Sequence, residues 1–327
     1  MAKQYRVLRK VASVPIQAGS FATLDLPRDY DYESIFLRVN GSVQVTSAAT
    51  SVRNEAPTQL VQRVEVIADG KNNIFSAPFW FASNAQFNGR DLLANGARVL
   101  TAPSSAALGT YAVEAIGVVD LMTPDSVRPK DSNFRSSGLS LFQLRLTFGQ
   151  PGDIFVGGTT VFSGTAYVDV FVQQLVEVPD ANGQVTTPVA LKKVSFQELA
   201  LTSSNANQEV RLPAGNFIRS VVVRTDGLTT AGEPSTGVLN NLQLAAGVDV
   251  RFNLTGPQLR AKNNADYGFV PAGYYAADVT TKANSSINLT DLWDVQGAAE
   301  PKVILDVVGG ASVKMQAIVT EYIMATA

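Results

Sequence analysis

One stretch of this chain occurs twice, and this repeat limits the possible folds more than any other feature. The first copy reads SAPFWFASNAQFNG (76–89) and the second reads TGPQLRAKNNADYG (255–268). Each begins with Ser or Thr two residues before a proline and ends on a glycine eleven residues after it. These are the start and stop signals of a short helix. Residues inside the copies also match, Ala82 and Asn84 with Ala261 and Asn263. We therefore expect one module built twice.

The first copy carries the densest aromatic cluster of the chain, Phe79-Trp80-Phe81. Such a cluster can stack on a base or a sugar, but it more commonly packs a helix against a sheet. The second copy has Gln258-Leu259-Arg260 at these positions, so only the central one stays apolar. This pattern favours a helix packed on each module over a ligand site.

Short segments with alternating apolar and polar residues fill most of the remaining sequence. In residues 140–149 (SLFQLRLTFG), the apolar side chains fall on one face and the polar ones on the other. Residues 21–27, 34–41, 60–70 and 165–179 follow the same pattern in the first half, and 207–213, 217–227 and 239–252 follow it in the second. A sheet with one buried face and one solvent-exposed face is typical of antiparallel sheets.

The order of these segments repeats between the two halves of the chain. Each half offers about eight short strands and one helix, which predicts an eight-stranded jelly roll. The polar, Pro- and Gly-containing segment 178–190 separates the halves. We therefore predict an all-β fold of two tandem jelly rolls, each with a short helix. The predicted division is an N-terminal arm (1–14), a first roll (15–180), a linker (181–190) and a second roll (191–327).

Composition excludes several classes of chemistry. The 327 residues contain no Cys and no His, which rules out thiolate metal sites, cysteine nucleophiles and the Ser-His-Asp triad. The formal net charge of −2 gives no global attraction to nucleic acid. No secretory signal and no run of about 18 apolar residues is present. We expect a protein that is soluble when made, with no catalytic, cofactor-binding or metal-binding residues.

Four basic residues stand near the N-terminus: Lys3, Arg6, Arg9 and Lys10. They suit a solvated first strand or arm, or an arm that touches an anionic membrane or nucleic acid. As a hypothesis, this arm faces the interior of an assembly. Deleting residues 1–10 would then leave the folded protein intact while impairing assembly or membrane contact.

Two other motifs admit a functional interpretation. Asp29, Asp31 and Glu33 could present carboxylates for a metal or a glycosidase, but the glycine and terminal glutamate of a calcium loop are missing. A polar loop before a strand is the alternative. The glycine-rich segment 151–160 lacks the Gly-Lys-Ser/Thr of a phosphate loop, and we interpret it as a turn.

The tandem halves (about 15–178 and 190–325), the helix in each half and the missing catalytic residue types resemble the double jelly-roll major capsid proteins of tailless, icosahedral, membrane-containing bacteriophages. The resemblance covers nearly the whole chain and involves no short diagnostic motif. It implies a structural, non-enzymatic coat protein of the virion shell, made in the host cytoplasm. The long, matched loops 44–58 and 224–238 suit exposed surface features of such a protein.

The resemblance also implies partners. Three copies would form a pseudo-hexagonal capsomer of an icosahedral shell that encloses a membrane. The capsomers would contact each other, penton and minor capsid proteins and, through the N-terminal arm, the internal membrane, without sequence-specific nucleic acid binding. Two alternatives stay open. A carbohydrate-binding β-sandwich protein would expose aromatic residues in a groove, and a carboxylate-dependent glycoside hydrolase would lose activity on Asp31→Asn.

Overall fold

The computed structural model describes residues 4–85, 99–122, 133–177, 190–267, 270–279 and 292–324. The described residues up to 191 form one compact unit, and those from 192 onward form a second. The predicted linker (181–190) lies outside the described residues except for Ala190, which begins a strand.

The first unit consists mainly of strands. Their bounds are β1 Gln4–Pro15, β2 Phe21–Asp25, β3 Asp31–Ser47, β4 Ser51–Val52, β5 Val61–Ala68, β6 Asn72–Ala77, β7 Val99–Thr101, β8 Gly109–Asp120, β9 Phe142–Phe148, β10 Phe155–Val156, β11 Thr159–Phe162 and β12 Tyr167–Glu177. Short 3-10 turns lie at Ala56–Leu60 and Pro151–Ile154, and a π-helical turn lies at Phe81–Ala85.

The second unit has nine strands and one α-helix among the described residues. The strands are β13 Ala190–Ala200, β14 Asn205–Arg211, β15 Phe217–Asp226, β16 Leu239–Ala246, β17 Asp249–Thr255, β18 Tyr274–Asp278, β19 Trp293–Asp294, β20 Pro301–Val307 and β21 Lys314–Met324. The helix α1 spans Gly256–Tyr267.

Both units arrange eight strands in the same order. In the first unit the two rows are β1-β12-β3-β8 and β2-β9-β5-β6. In the second they are β13-β21-β15-β18 and β14-β20-β16-β17. When these eight strands of each roll are renumbered 1 to 8 along the chain, the two rows read 1-8-3-6 and 2-7-4-5. Two four-stranded antiparallel sheets in this order form a jelly roll, so the predicted fold of two tandem eight-stranded jelly rolls is confirmed.

The alternation in the sequence determines which side chains fill each core. In the second unit, Val221 and Val319 of one sheet and Leu242 and Leu305 of the other belong to one cluster of buried residues. In the first unit, Tyr32 of β3 meets Phe142 of β9 edge to face at a centroid distance of 4.9 Å. Each roll is therefore closed by apolar contacts between its two sheets.

From Gln4 onward, the segment assigned from the sequence to an N-terminal arm (1–14) is a strand of the first roll, which corrects that prediction. Gln4–Pro15 form β1, and its residues pair with β12 from Gln4 opposite Glu177 to Pro15 opposite Tyr167. Because the backbone groups of β1 complete a sheet ladder, this segment cannot detach without breaking that ladder. The strand interrupts its register once, at Val11.

Candidate interaction surface

The duplicated helix lies at the same place in both rolls, between the fifth and sixth of the eight strands. In the second copy, the predicted cap forms as a reciprocal pair. The Gln258 backbone N–H donates to Thr255 Oγ1 at 3.4 Å, and the Thr255 N–H donates to Gln258 Oε1 at 3.1 Å. Two otherwise unpaired backbone donors at the helix start are thereby satisfied.

The first copy differs at its start. Ser76 belongs to β6, and its hydroxyl accepts hydrogen bonds from Arg63 Nε and Nη2 at 3.1 and 2.9 Å instead of capping the helix. Helical structure begins at Phe79, and the predicted stop residues Gly89 and Gly268 lie outside the described residues. The predicted N-cap is therefore right for Thr255 and wrong for Ser76, because a neighbouring strand supplies Ser76 with a stronger, charged partner.

The aromatic cluster is core, as the sequence predicted. Phe79, Trp80 and Phe81 are each at most 4% exposed. Trp80 and Phe81 meet edge to face at a centroid distance of 6.1 Å, and the ring of Phe79 lies over Gly117 of β8. These rings stabilise the first roll through buried area and are not available to stack on a ligand.

The basic residue Arg6 on β1 is held by a carboxylate of the same sheet. Its Nε lies 2.9 and 2.8 Å from the two carboxylate oxygens of Glu33, whose side chain is 1% exposed. Gln173 Nε2 donates to the same carboxylate at 2.5 Å. Glu33 is therefore a satisfied structural carboxylate. Lys3, the first of the four predicted basic residues, lies outside the described residues.

The other two residues of the acidic motif are also paired with arginines. Arg9 Nη2 donates to both oxygens of Asp29 at 2.5 and 2.6 Å. Burial alone would raise the pKa of Asp29, but the hydrogen bond and the charge of Arg9 outweigh it and lower that pKa. Asp31 lies 3.8 Å from Arg135 Nε. Each carboxylate of the motif thus contacts a separate arginine, which supports a structural role for it.

A row of alternating charges crosses four neighbouring strands of the first roll. Lys10 Nζ of β1 lies 2.8 Å from Asp169 Oδ1 of β12, and Asp169 Oδ2 lies 3.9 Å from Arg38 Nη1 of β3. Arg38 Nε lies 2.6 Å from Glu114 Oε1 of β8. We call these four residues the charge row. They pair with one another, and together the two cations and two carboxylates carry no net charge.

Sequence reasoning identified Lys10 but not the other members of the charge row. Asp169, Arg38 and Glu114 each stand at a polar position of an alternating strand, which is the only signal that the sequence offers. Their contact depends on which strands are neighbours, and Arg38 and Asp169 are opposite each other only through the β3–β12 register. A prediction would have needed the jelly-roll strand order first.

The two long loops predicted to be matched do connect equivalent strands, the third and fourth of each roll. The first contains β4, which pairs with β10, and the 3-10 turn at Ala56–Leu60. The second is anchored by a buried ion pair between Arg224 and Asp226, and Arg224 Nη2 donates to Gly232 O at 3.1 Å. Burial raises the pKa of Asp226 despite the adjacent guanidinium.

The glycine-rich segment 151–160 forms the predicted turns. Pro151–Ile154 make a 3-10 turn, and Gly157 and Gly158 adopt positive φ angles of 70° and 75° between β10 and β11. A side chain at Gly158 would meet the backbone of Ser47 and Ala49 within 3.0 Å. The glycines therefore serve a tight strand connection.

Several large apolar side chains are exposed on the described part of the chain. In the first roll most of them lie at the end that carries the β1–β2, β3–β5 and β9–β12 connections: Phe21, Leu100, Leu108, Val161 and Tyr167. Val248 and Val250, at the β16–β17 hairpin, are the most exposed of the second roll. Within the described residues, no group of three or more acidic residues has a metal-binding arrangement, and no helix is long and apolar enough to cross a membrane.

Comparison with solved structures finds similar folds over the full chain. The crystal structure of the STIV MCP matches with a TM-score of 0.72 and 15% identity, over 98% of this chain and 97% of that chain. The PBCV-1 virus capsid matches with a TM-score of 0.66 and 12% identity, over 98% and 94%. The major capsid protein P2 from bacteriophage PM2 matches with a TM-score of 0.58 and 14% identity, over 99% and 98%. These likenesses show a double jelly-roll fold.

No protein-family model matches this sequence. A search of curated proteins also finds no significant match.

Proposed function

We propose that this chain is a structural major capsid protein that builds a virion shell by self-association. The observation that carries the proposal is the similarity of this chain, with both of its rolls, to viral capsid proteins over at least 97% of this chain and of the STIV and PM2 proteins. Jelly rolls alone occur with many functions. A tandem pair of jelly rolls that matches from end to end restricts the possible functions more than a single roll does.

The chemistry of the described surface supports this proposal. The carboxylates of Asp29, Asp31 and Glu33, which would have served a glycoside hydrolase, contact arginines instead. The aromatic cluster Phe79-Trp80-Phe81, which could have stacked on a sugar, is buried. Among the described residues, the large exposed apolar side chains lie on strands and connecting loops, where an assembling protein could bury them.

In the proposed assembly, three copies form a capsomer with six jelly rolls and a pseudo-hexagonal outline. Such capsomers would pack into an icosahedral shell that encloses a membrane, with penton and minor capsid proteins as further partners. A closed cyclic trimer has the same interface three times, so each copy must present two different complementary surfaces.

Native mass spectrometry on the purified full chain tests the first step. The expected species has about three times the chain mass of 34.8 kDa. Negative-stain images of concentrated protein or of its source should show tiles of hexagonal outline. A chain that is folded by circular dichroism but monomeric up to about 100 μM, well above the Kd of a stable oligomer, would contradict the proposal.

The enzymatic alternative has its own test. The full chain and the Asp31→Asn variant are assayed on a polysaccharide panel. Turnover that disappears in the variant while its thermal unfolding is unchanged would favour a hydrolase over a coat protein.

A further inference from the structure

A cleft of about 580 Å³ opens on the first roll between its two edge strands β1 and β2. Its lining comes from three parts of the chain: β1, the end of β2 with the residues that follow, and the start of β9. The lining residues are Arg9, Lys10, Val11, Asp25, Leu26, Pro27, Arg28, Leu141 and Phe142. Three of these nine are cations and one is a carboxylate.

Arg28 is the cation in this cleft that has no carboxylate partner. Its Nη1 donates to the backbone oxygens of Leu139 and Ser140, the latter at 2.6 Å. Among the described residues, no acidic side chain lies within ion-pairing distance of its guanidinium. Those two carbonyl contacts hold the arginine in place, while Nε and Nη2 remain as donors for a ligand.

Arg9 and Lys10 line the same cleft from β1. The guanidinium of Arg9 binds Asp29 through Nη2 and leaves Nε without a hydrogen-bond partner among the described residues. The ammonium of Lys10 binds Asp169. An anion in the cleft would therefore meet the free charge of Arg28 first and the two paired cations second.

The backbone of β1 is irregular at this place. The pairing with β12 passes from Lys10 opposite Phe171 to Ala12 opposite Val170, so Val11 is an extra residue in a β-bulge. A bulge on an edge strand redirects the neighbouring side chains, and bulges are frequent beside binding sites. Here it lies on the wall of the cleft.

The remaining walls are apolar. Leu26 and Phe142 are at most 4% exposed and form the floor, and Pro27, Leu141 and Val11 are partly exposed. Asp25 opposes the cations, but its carboxylate already accepts a hydrogen bond from Gln143 Nε2 at 2.8 Å. The cleft thus combines fixed cationic donors with apolar sides, as sites for phosphate-bearing organic molecules do.

We propose that this cleft binds a terminal phosphate group, that is, a phosphate with at most one ester bond, with Arg28 as its principal ligand and Lys10 and Arg9 as supporting ones. Such a group is present in free phosphate and in a phospholipid whose headgroup is a phosphate monoester, as in phosphatidic acid. The apolar walls favour the lipid, since they would cover the first carbons next to the phosphate. The proposal stands on the first roll alone and does not depend on a capsid role.

Isothermal titration of the full chain at low ionic strength tests the site with two probes, inorganic phosphate and dibutyryl phosphatidic acid. Arg28→Gln should weaken binding of both probes by about tenfold or more, because it removes a charged donor. Asp25→Asn should strengthen binding, because it removes the opposing charge and keeps an oxygen for Gln143. Arg251→Gln, an exposed arginine of β17 on the second roll, is the matched control and should change nothing.

The two probes also identify the source. Tighter binding of the phosphatidic acid supports a lipid headgroup, and equal binding supports free phosphate. Failure of both probes to saturate at about 10 mM would overturn the proposal. So would equal effects of Arg28→Gln and Arg251→Gln. Arg28→Gln could lower thermal stability through its lost carbonyl contacts. In that case the effects of Lys10→Gln and Asp25→Asn on probe binding are compared with that of Arg251→Gln instead. If the protein forms a trimer but binds neither probe, the proposed capsid role stands and the phosphate site falls. If it stays monomeric but binds the probes, the phosphate site stands and the capsid role falls.

Discussion

The side-chain amide of Asn263 on α1 pairs with the backbone of Ala276 on β18 as a neighbouring strand would. Asn263 Nδ2 donates to Ala276 O at 2.7 Å, and the Ala276 N–H donates to Asn263 Oδ1 at 2.8 Å. β18 is the last strand of its row, so its outward-facing backbone groups have no strand to pair with there among the described residues. Both residues are buried, and the amide fixes the helix to the sheet edge while satisfying that edge.

Replacing Asn263 with alanine should therefore destabilise the second roll. The change leaves a buried N–H and a buried C=O of Ala276 without partners, at a cost of about 2–4 kcal/mol. Urea unfolding should show a lower midpoint, and hydrogen exchange should accelerate in a peptide covering residues 270–279. Asn241→Ala removes an Asn–Asn hydrogen bond to Asn253 on the exposed face and is the control. Equal loss of stability in both variants would contradict this account.

Gly117 on β8 marks a second close contact. A Cβ at this position would lie 2.5 Å from Cε2 of the Phe79 ring. Because Phe79 is fully buried, the ring has little room to move, and Gly117→Ala should cost about 1–3 kcal/mol. Thermal unfolding measures the loss.

Two further variants separate this clash from other effects of alanine. Gly138→Ala, where a Cβ meets nothing within 4 Å, should be neutral. In the Phe79→Leu background the smaller side chain should leave room for the methyl group that Gly117→Ala adds, so the cost of the glycine substitution should fall. A cost that is unchanged in that background would show that the ring is not its cause.

Arg6 should contribute more to stability than an exposed ion pair. Arg6→Ala removes the charged partner of the 1% exposed carboxylate of Glu33 and leaves the amide of Gln173 as its donor, at an expected cost of about 1–2 kcal/mol. The pair of Lys314 and Glu198 has side chains 53% and 40% exposed, so Lys314→Ala should cost well under about 1 kcal/mol. Chemical denaturation of both variants makes the comparison. A larger loss in Lys314→Ala would refute it.

Deletion of residues 1–10 should unfold or loosen the first roll. The sequence alone predicted that this segment is dispensable for folding, but the deletion removes the β1 pairing from Gln4 to Lys10 along with three ion pairs. Limited proteolysis and circular dichroism measure the outcome. A truncated chain with unchanged protease resistance would restore the original interpretation of a detachable arm.

The charge row predicts acid sensitivity. Burial alone would raise the pKa of Asp169, but hydrogen bonds from Lys10 and Ser13 and the charge of Arg38 lower it below the ordinary value of 3.8. A carboxyl whose folded pKa is lowered stabilises the fold above its unfolded pKa, and this contribution is lost as the pH falls through the folded pKa. Stability should therefore decline below about pH 4.

Asp169→Asn tests whether Asp169 is the carboxyl group responsible for this acid sensitivity. The stability difference between the original chain and this variant should be full at pH 7 and should shrink between about pH 4 and pH 2. Urea midpoints across this range provide the measurement. Asp249→Asn, which removes an exposed carboxylate of β17 on the second roll, controls for the loss of one negative charge. A stability difference that grows as the pH falls would contradict the lowered pKa of Asp169.

The sequence by itself determined the fold class, the duplication and the composition of the cores. Alternation of period two identifies the buried face of a strand whatever its neighbours are, so Leu144 and Leu146 could be placed in a core from the sequence. The repeated segments located helical structure in both rolls, although of the two predicted caps only Thr255 is right, and the aromatic residues of the first copy were correctly assigned to packing. These features are local, because a few consecutive residues decide them.

Only the tertiary structure decided which polar side chains meet. Arg38 and Asp169 are 131 positions apart and become neighbours because the eighth strand of the roll lies beside the third. The same order turns the predicted arm into the edge strand β1 and places Arg28 in a cleft with Lys10. Alternation identifies the face on which a charge lies. The partner of that charge depends on strand order and register, which long-range pairing sets and no local pattern encodes.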